Sequence, residues 1–211
     1  MLIATILSQN TNDRNSHRAY TRLRSRFPQW KDVAKAPLRS IADAIRVGGM
    51  ANQKAVRIKE ALRAVKDRYG SYSLSALRRK SDDEIIQELV SLNGVGVKTA
   101  SCVLLFSLRR DVFPVDTHIH RICNRLGLVH RTSTPEKTFE TMKGLVPRGR
   151  AYSFHTNLIR FGRMVCTSSR PKCMMCPLYD ECEFDGKRIE HHRRADSVTR
   201  RNYDFMLLDH V

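Results

Sequence analysis

The chain has 211 residues, 41% of them hydrophobic, enough for one large or two small domains with apolar cores of their own. Against 21 Asp and Glu it sets 38 Lys and Arg, a formal charge of +17 that exceeds what solubility asks for and makes a polyanionic partner the natural expectation. No stretch approaches the roughly 20 apolar residues of a membrane span, and the apolar start from Met1 to Leu7 has no basic flank, so neither a membrane protein nor a signal peptide is expected.

Along the chain, apolar residues recur mostly at three- and four-residue steps. Ile41, Ile45, Val56, Ile58, Leu62 and Val65 form one such series, and Ile85, Ile86, Leu89, Val90 and Leu92 another. Alternating runs are scarce. Gly48-Gly49, Gly70-Ser71, Gly94-Val95-Gly96 and Pro147-Arg148-Gly149 interrupt the pattern as short connections, so the chain reads as all-α. Asp82 and Asp83 are expected to cap the helix leading to Leu92, acidic charge meeting its positive end. Beyond Cys182 apolar residues thin out, and a basic tail over 191–211 begins at His191-His192-Arg193-Arg194, with a late apolar run from Phe205 to Leu208.

Two glycines, Gly94 and Gly96, separate an apolar helix from a second apolar run, Ala100 to Leu108. They permit a tight turn and close approach of another backbone. The amides opening the second helix, through Val97, Lys98 and Thr99, form an expected site for a phosphate. The glycine spacing is not that of a nucleotide-binding P-loop. On the residues alone, Lys98 reads first as a phosphate-binding charge, and Asp116 as a helix cap.

The run from Leu92 to Ala100 has the form Leu-x-Gly-x-Gly-x-Lys-Thr-Ala, and eighteen residues beyond its lysine stands the aspartate of Val115-Asp116-Thr117-His118. This combination resembles the helix-hairpin-helix and catalytic aspartate of the endonuclease III family. The resemblance implies two helical domains with the active site in the cleft between them: a six-helix barrel carrying the hairpin over residues 1–110, and an iron-sulfur cluster domain over 111–190. It also implies a DNA glycosylase and abasic-site lyase of base excision repair, a monomer acting inside the cell on double-stranded DNA with damaged bases or abasic sites. Lys98 is then the nucleophile and Asp116 its assistant. The chemistry suits them: a lysine in a helix's first turn meets a positive dipole that favours its neutral form, and the amine attacks a sugar C1′ to give a Schiff base. A carboxylate steadies the developing oxocarbenium charge. His118 and His120 read equally as DNA contacts and as local hydrogen-bonding groups.

The four cysteines of Cys166-x6-Cys173-x2-Cys176-x5-Cys182 are dense enough for one four-thiolate site, since a reducing compartment disfavours disulfides. Ligand chemistry alone leaves zinc and a [4Fe-4S] cluster both open. The spacing is similar to the iron-sulfur loop of endonuclease III and its adenine-glycosylase relatives, which implies the [4Fe-4S] cluster. Cys102 and Cys123, in apolar contexts, are expected in the core. Arg163, Arg170 and Lys172 in and beside this loop are expected on DNA phosphates, together with Arg160.

An extruded base leaves a gap in the stack that something must fill. In the family two interhelical loops do this, and here they resemble Leu7-Ser8-Gln9-Asn10-Thr11-Asn12-Asp13 and Gly49-Met50-Ala51-Asn52-Gln53-Lys54-Ala55. Met50 is the apolar wedge of the second. In the first, the glutamine stands one position earlier than in the bacterial pattern, leaving Gln9 and Asn10 both open. The chain starts at what resembles the family's second helix, so an amino-terminal segment that normally packs beside the cluster domain is expected to be missing. The implied substrates are oxidised pyrimidines such as thymine glycol. The rivals are a mismatch glycosylase acting on adenine, thymine or uracil, whose members typically lack the lysine; a non-catalytic iron-sulfur DNA-binding protein; and a zinc-stapled basic adaptor.

Overall fold

The structure, a computed structural model, describes residues 1–187; the basic tail expected over 191–211, with its late apolar run, lies outside them. Every regular element among the described residues is helical, as the periodicity indicates, and none of these helices is long and apolar enough to cross a membrane. The chain divides into two compact units, one over Met1–Arg110 and one beginning at Asp111.

The first unit holds α1 (Leu2–Ser8), α2 (Asp13–Arg26), α3 (Trp30–Lys35), α4 (Leu38–Ile45), α5 (Ala51–Tyr69), α6 (Asp82–Val90) and α7 (Val97–Cys102). α1 is buried from Leu2 to Leu7, and it packs against α2, α5 and α7. A helix apolar on every side has to sit inside, and α1 is the centre of this unit. Around it Leu23, Ile41, Ile45, Ile58, Leu77, Ile85, Leu89 and Leu104 are fully buried. α5, the longest helix, buries Ala55, Ile58, Ala61, Leu62 and Val65 at helical spacing and stops at Gly70, whose φ of 70° closes the helix without Cβ strain. Val56 and Val90, read as part of the apolar pattern, point outward instead and are exposed.

The start of α6 differs from expectation. Its cap is Ser81, whose hydroxyl accepts from the Glu84 amide while the Glu84 carboxylate takes the Ser81 amide. Asp82 and Asp83 lie inside the first turn, where they face the helix's positive end without capping it. α7 passes into a π-helical turn over Val103–Ser107.

The second unit holds α8 (Thr117–Arg125), α9 (Pro135–Leu145) and α10 (Ala151–Met164), followed by the cysteine loop with a 3-10 turn over Cys173–Met175. Thr134 caps α9 and Pro135 opens it. α8 packs on both α9 and α10. Its approach to α10 is close enough that a Cβ on Gly162 would come within 2.8 Å of the His118 Cβ. Asp111 ties the start of α10 to the segment that leads into α8, accepting from the Gly149 and Ala151 amides.

Candidate active site

In the first unit, the hairpin is α6, the turn through Gly94 and Gly96, and α7. Gly94 has φ of 76°, a conformation that favours glycine, and a Cβ there would stand 2.6 Å from the Arg57 side chain and displace it. Gly96 is the exposed cap residue of α7; Val97 and Lys98, half-buried, form its first turn. Thr99 is only 4% exposed, so its hydroxyl is turned into the unit.

The two loops proposed from the sequence to fill a gap in DNA meet in this unit. Gln9 ends α1 and is held from both sides of its amide: Nε2 donates to the Gly94 carbonyl at 3.1 Å, and Oε1 accepts from Arg57 at 3.0 Å. Asn10 is exposed, and its Nδ2 donates to the Met50 sulfur at 3.5 Å. Asn10 and Met50 both have φ of 50°, in the left-handed region, and Met50 is 43% exposed. The neighbouring residues thus divide: Gln9 is built into the hairpin, Asn10 stands beside Met50 at the surface.

A face of α5 organises all of this. Lys54 is 1% exposed and its Nζ donates to the carbonyls of Leu7 at 2.9 Å and Gly48 at 2.8 Å. Burial, and then the nearby Arg57 charge, push its pKa down. One turn on, Arg57 reaches Gln9 and covers Gly94; a further turn on, Glu60 accepts from Asn93 of the hairpin at 2.9 Å. Sequence reasoning passed over Lys54 and Arg57; the only trace was their three-residue spacing just after the Met50 turn.

In the second unit, Asp116 is the cap of α8. Its Oδ1 accepts from the amides of His118 and Ile119, both at 2.9 Å, while Oδ2 takes no hydrogen bond from the described residues. His118, half-buried, has Nδ1 3.1 Å from Arg121 Nη2. Its pKa is lowered by burial, a shift that the Asp116 charge opposes and those of Arg121 and Arg163 reinforce. His120 instead faces Thr138 at 2.8 Å and Asn124, a local hydrogen-bonding arrangement.

The same helix carries the cysteine loop. Arg121 donates to the carbonyls of Cys166 and Gly162, both at 2.8 Å through Nη2. Arg125 donates to the Cys166 sulfur at 3.2 Å and to the carbonyls of Thr167 at 2.7 Å and Ser168 at 3.0 Å, and its guanidinium lies 4.2 Å from the centre of the Phe184 ring. Neither arginine stood out in the sequence, although their four-residue spacing puts both on one face of the helix that Asp116 begins. Arg163, Arg170 and Lys172 are exposed, and the Lys172 amide closes the loop on the Val165 carbonyl at 2.9 Å.

Comparison with known proteins identifies the family. The model of the HhH-GPD superfamily of base excision DNA repair proteins matches residues 3–148. This chain belongs to that superfamily. It is 39% identical over 188 residues to endonuclease III of Thermotoga maritima, covering 89% of this chain and 84% of that protein. An Arabidopsis thaliana protein bearing a DNA glycosylase name is 38% identical over 190 residues, 88% of this chain, and the chain spans 64% of its length. Among solved structures, endonuclease III in a non-covalent complex with DNA superposes with a TM-score of 0.78 at 29% identity, covering 90% of this chain and 84% of that one. The chain therefore carries the all-α enzyme module of this repair family.

Similarity to endonuclease III, with the cysteine spacing, implies a metal cluster, for which the four sulfurs are the donor set. Cys166, Cys173, Cys176 and Cys182 line one pocket together with apolar side chains such as Ile122, Phe161 and Phe184. Burial and the charges of Cys166, Cys182 and Glu181 act to raise the Cys176 thiol pKa. Among the described residues no three His, Cys, Asp or Glu side chains close on a single ion position. One zinc ion would hold all four sulfurs at about 2.3 Å. Four thiols lining one apolar pocket are a donor set that a multi-iron cluster accepts as well. Cys102 and Cys123 stay in the core, and burial pushes the Cys123 thiol up to about 11.

Proposed function

We propose that the protein is a bifunctional DNA glycosylase and abasic-site lyase that removes oxidised pyrimidines such as thymine glycol from double-stranded DNA inside the cell, working as a monomer. The observation that carries this reading is the lysine itself: Lys98 stands in the first turn of α7, directly after the Gly94 to Gly96 turn, in a chain of this family. Its neutral amine attacks C1′ of the damaged nucleotide; the C1′–Nζ bond forms as the glycosidic bond breaks, and the base leaves with a proton. The sugar ring then opens, the C1′–O4′ bond breaking and O4′ taking a proton, to leave an iminium that acidifies C2′; loss of that C2′ proton expels the 3′-phosphate, and hydrolysis returns the lysine. Asp116, with Oδ1 engaged as a cap, has Oδ2 available to steady positive charge on the sugar and to take a proton from the amine.

The remaining residues serve binding. Asn10 and Met50 fill the gap left by the extruded base; the turn at Gly94 and Gly96, His118, and the exposed Arg163, Arg170 and Lys172 meet the backbone. Cys166, Cys173, Cys176 and Cys182 would hold a [4Fe-4S] cluster, which when bound supplies cross-linking of the loop that presents Arg170 and Lys172. A mismatch glycosylase without lyase activity is disfavoured by Lys98.

The test is borohydride trapping on duplexes carrying one thymine glycol or one abasic site. Covalent adducts on both are expected from the wild type and none from Lys98→Gln, with duplex binding retained. Undiminished trapping by that variant would remove Lys98 from the mechanism.

A further inference from the structure

Lys54, 1% exposed, is the largest fully buried side chain of the first unit, and the proposed reaction leaves its chemistry unused. Among the described residues it has no carboxylate partner. Its Nζ bonds instead to two carbonyls: Leu7, in the last turn of α1, and Gly48, at the end of the 3-10 turn Arg46–Gly48. Methionine would fill this space without the desolvation cost of an amino group, so packing alone does not account for lysine. What the two carbonyls share is position. Leu7 lies three residues before Asn10 and Gly48 two before Met50, and those two tips touch through the Asn10 amide and the Met50 sulfur at 3.5 Å. The Lys54 amide also bonds the Met50 carbonyl at 3.0 Å, so one residue grips the second loop from both backbone and side chain.

We infer that Lys54 is a positioning residue: by bridging the carbonyls of Leu7 and Gly48 it holds the feet of two loops at a fixed separation, so that Asn10 and Met50 enter a DNA gap as one wedge. The inference rests on the gap-filling part of the proposed function and not on the chemistry at Lys98. Each tip holds a left-handed conformation that a free loop would relax, and a fixed foot is what keeps such a conformation in place. Removing the bridge leaves both tips present and their pairing lost.

The experiment uses the full-length protein, Lys54→Met, and a duplex with a tetrahydrofuran abasic analogue opposite 2-aminopurine, whose emission reports unstacking without any bond cleavage. Wild type is expected to change the emission on binding, and Lys54→Met to lose most of that change while binding the duplex within about threefold of wild type. Excision from a lesion duplex should fall by about tenfold or more, as misplacement of a positioning group by an ångström does, while trapping on a single-stranded abasic oligonucleotide, which has no stack to invade, should stay near wild type. Met50→Ala should then cost little more in the Lys54→Met background than Lys54→Met alone. Should Lys54→Met fail to fold, Lys54→Gln, with two donors on a shorter stem, takes its place. A preserved emission change, equal losses on duplex and single strand, or additive effects with Met50→Ala would each overturn the inference. An emission change from a wild-type protein that never traps would instead overturn the lyase reading and leave Lys54 in its role.

Discussion

The carboxylate of Asp116 divides its oxygens, Oδ1 accepting the first free amides of α8 and Oδ2 remaining outside that network. Cap and reactant are therefore separable by substitution. Asp116→Asn keeps an oxygen that caps and should hold the melting temperature close to wild type, whereas Asp116→Ala should lose about 1 kcal/mol of stability. Both should slow single-turnover base excision by about a hundredfold, the usual scale for removing a group that steadies transition-state charge. An Asn variant as active as wild type would leave Asp116 as a cap only. The sequence offered cap and catalysis as alternatives because it cannot show that a carboxylate has two ends facing different neighbours. Gln9 and Asn10 were equally undecidable: what distinguishes them is a hydrogen bond to Gly94, eighty-five residues away, and a contact with Met50, forty away.

At the scale of elements, α8 joins Asp116 at one end to the cysteine loop at the other, through Arg121 and Arg125. Arg125 alone holds a sulfur and two carbonyls, with an aromatic ring beneath it. Arg125→Met should loosen this loop by about 1.5–3 kcal/mol, the range for hydrogen bonds to a charged donor. Limited trypsin digestion read by mass spectrometry should then show cleavage after Lys172 accelerated by about tenfold, as local opening follows that free energy; an unchanged rate would mean that the loop is held by other contacts. Periodicity found the helices well because burial writes itself into three- and four-residue spacing, as in Ile41, Ile45, Ile58 and Leu62. It did not find their edges. Ser81 caps α6 because its hydroxyl and Glu84 complete a reciprocal pair, a signal one residue upstream of the more conspicuous Asp82 and Asp83. Val56 and Val90 matched the apolar pattern yet face outward, since residue type alone does not say which side of a helix is covered.

For the whole molecule, the all-α fold and the repair family were both legible, the first from pattern and the second from the hairpin run that ends in Lys98 and Ala100 together with the aspartate eighteen residues on. The +17 charge makes a further statement about how such a chain should meet DNA. Binding to undamaged duplex, followed by fluorescence anisotropy, should weaken by about a thousandfold or more between roughly 50 and 200 mM salt, as expected when several phosphates are neutralised. A shallow salt dependence would mean that most of the positive charge lies away from the DNA.

The left-handed backbone at Asn10 and Met50 carries one last implication, for how this protein can change over time. Glycine would relieve both positions, and methionine, with its long side chain, gains the more from relief. Selection for heat resistance alone would therefore drift toward glycine at Met50, trading away the side chain that a gap in DNA would receive. A lineage keeping bulk there accepts a less stable fold in exchange for activity, and thermostabilised descendants of this chain should be screened for that exchange first.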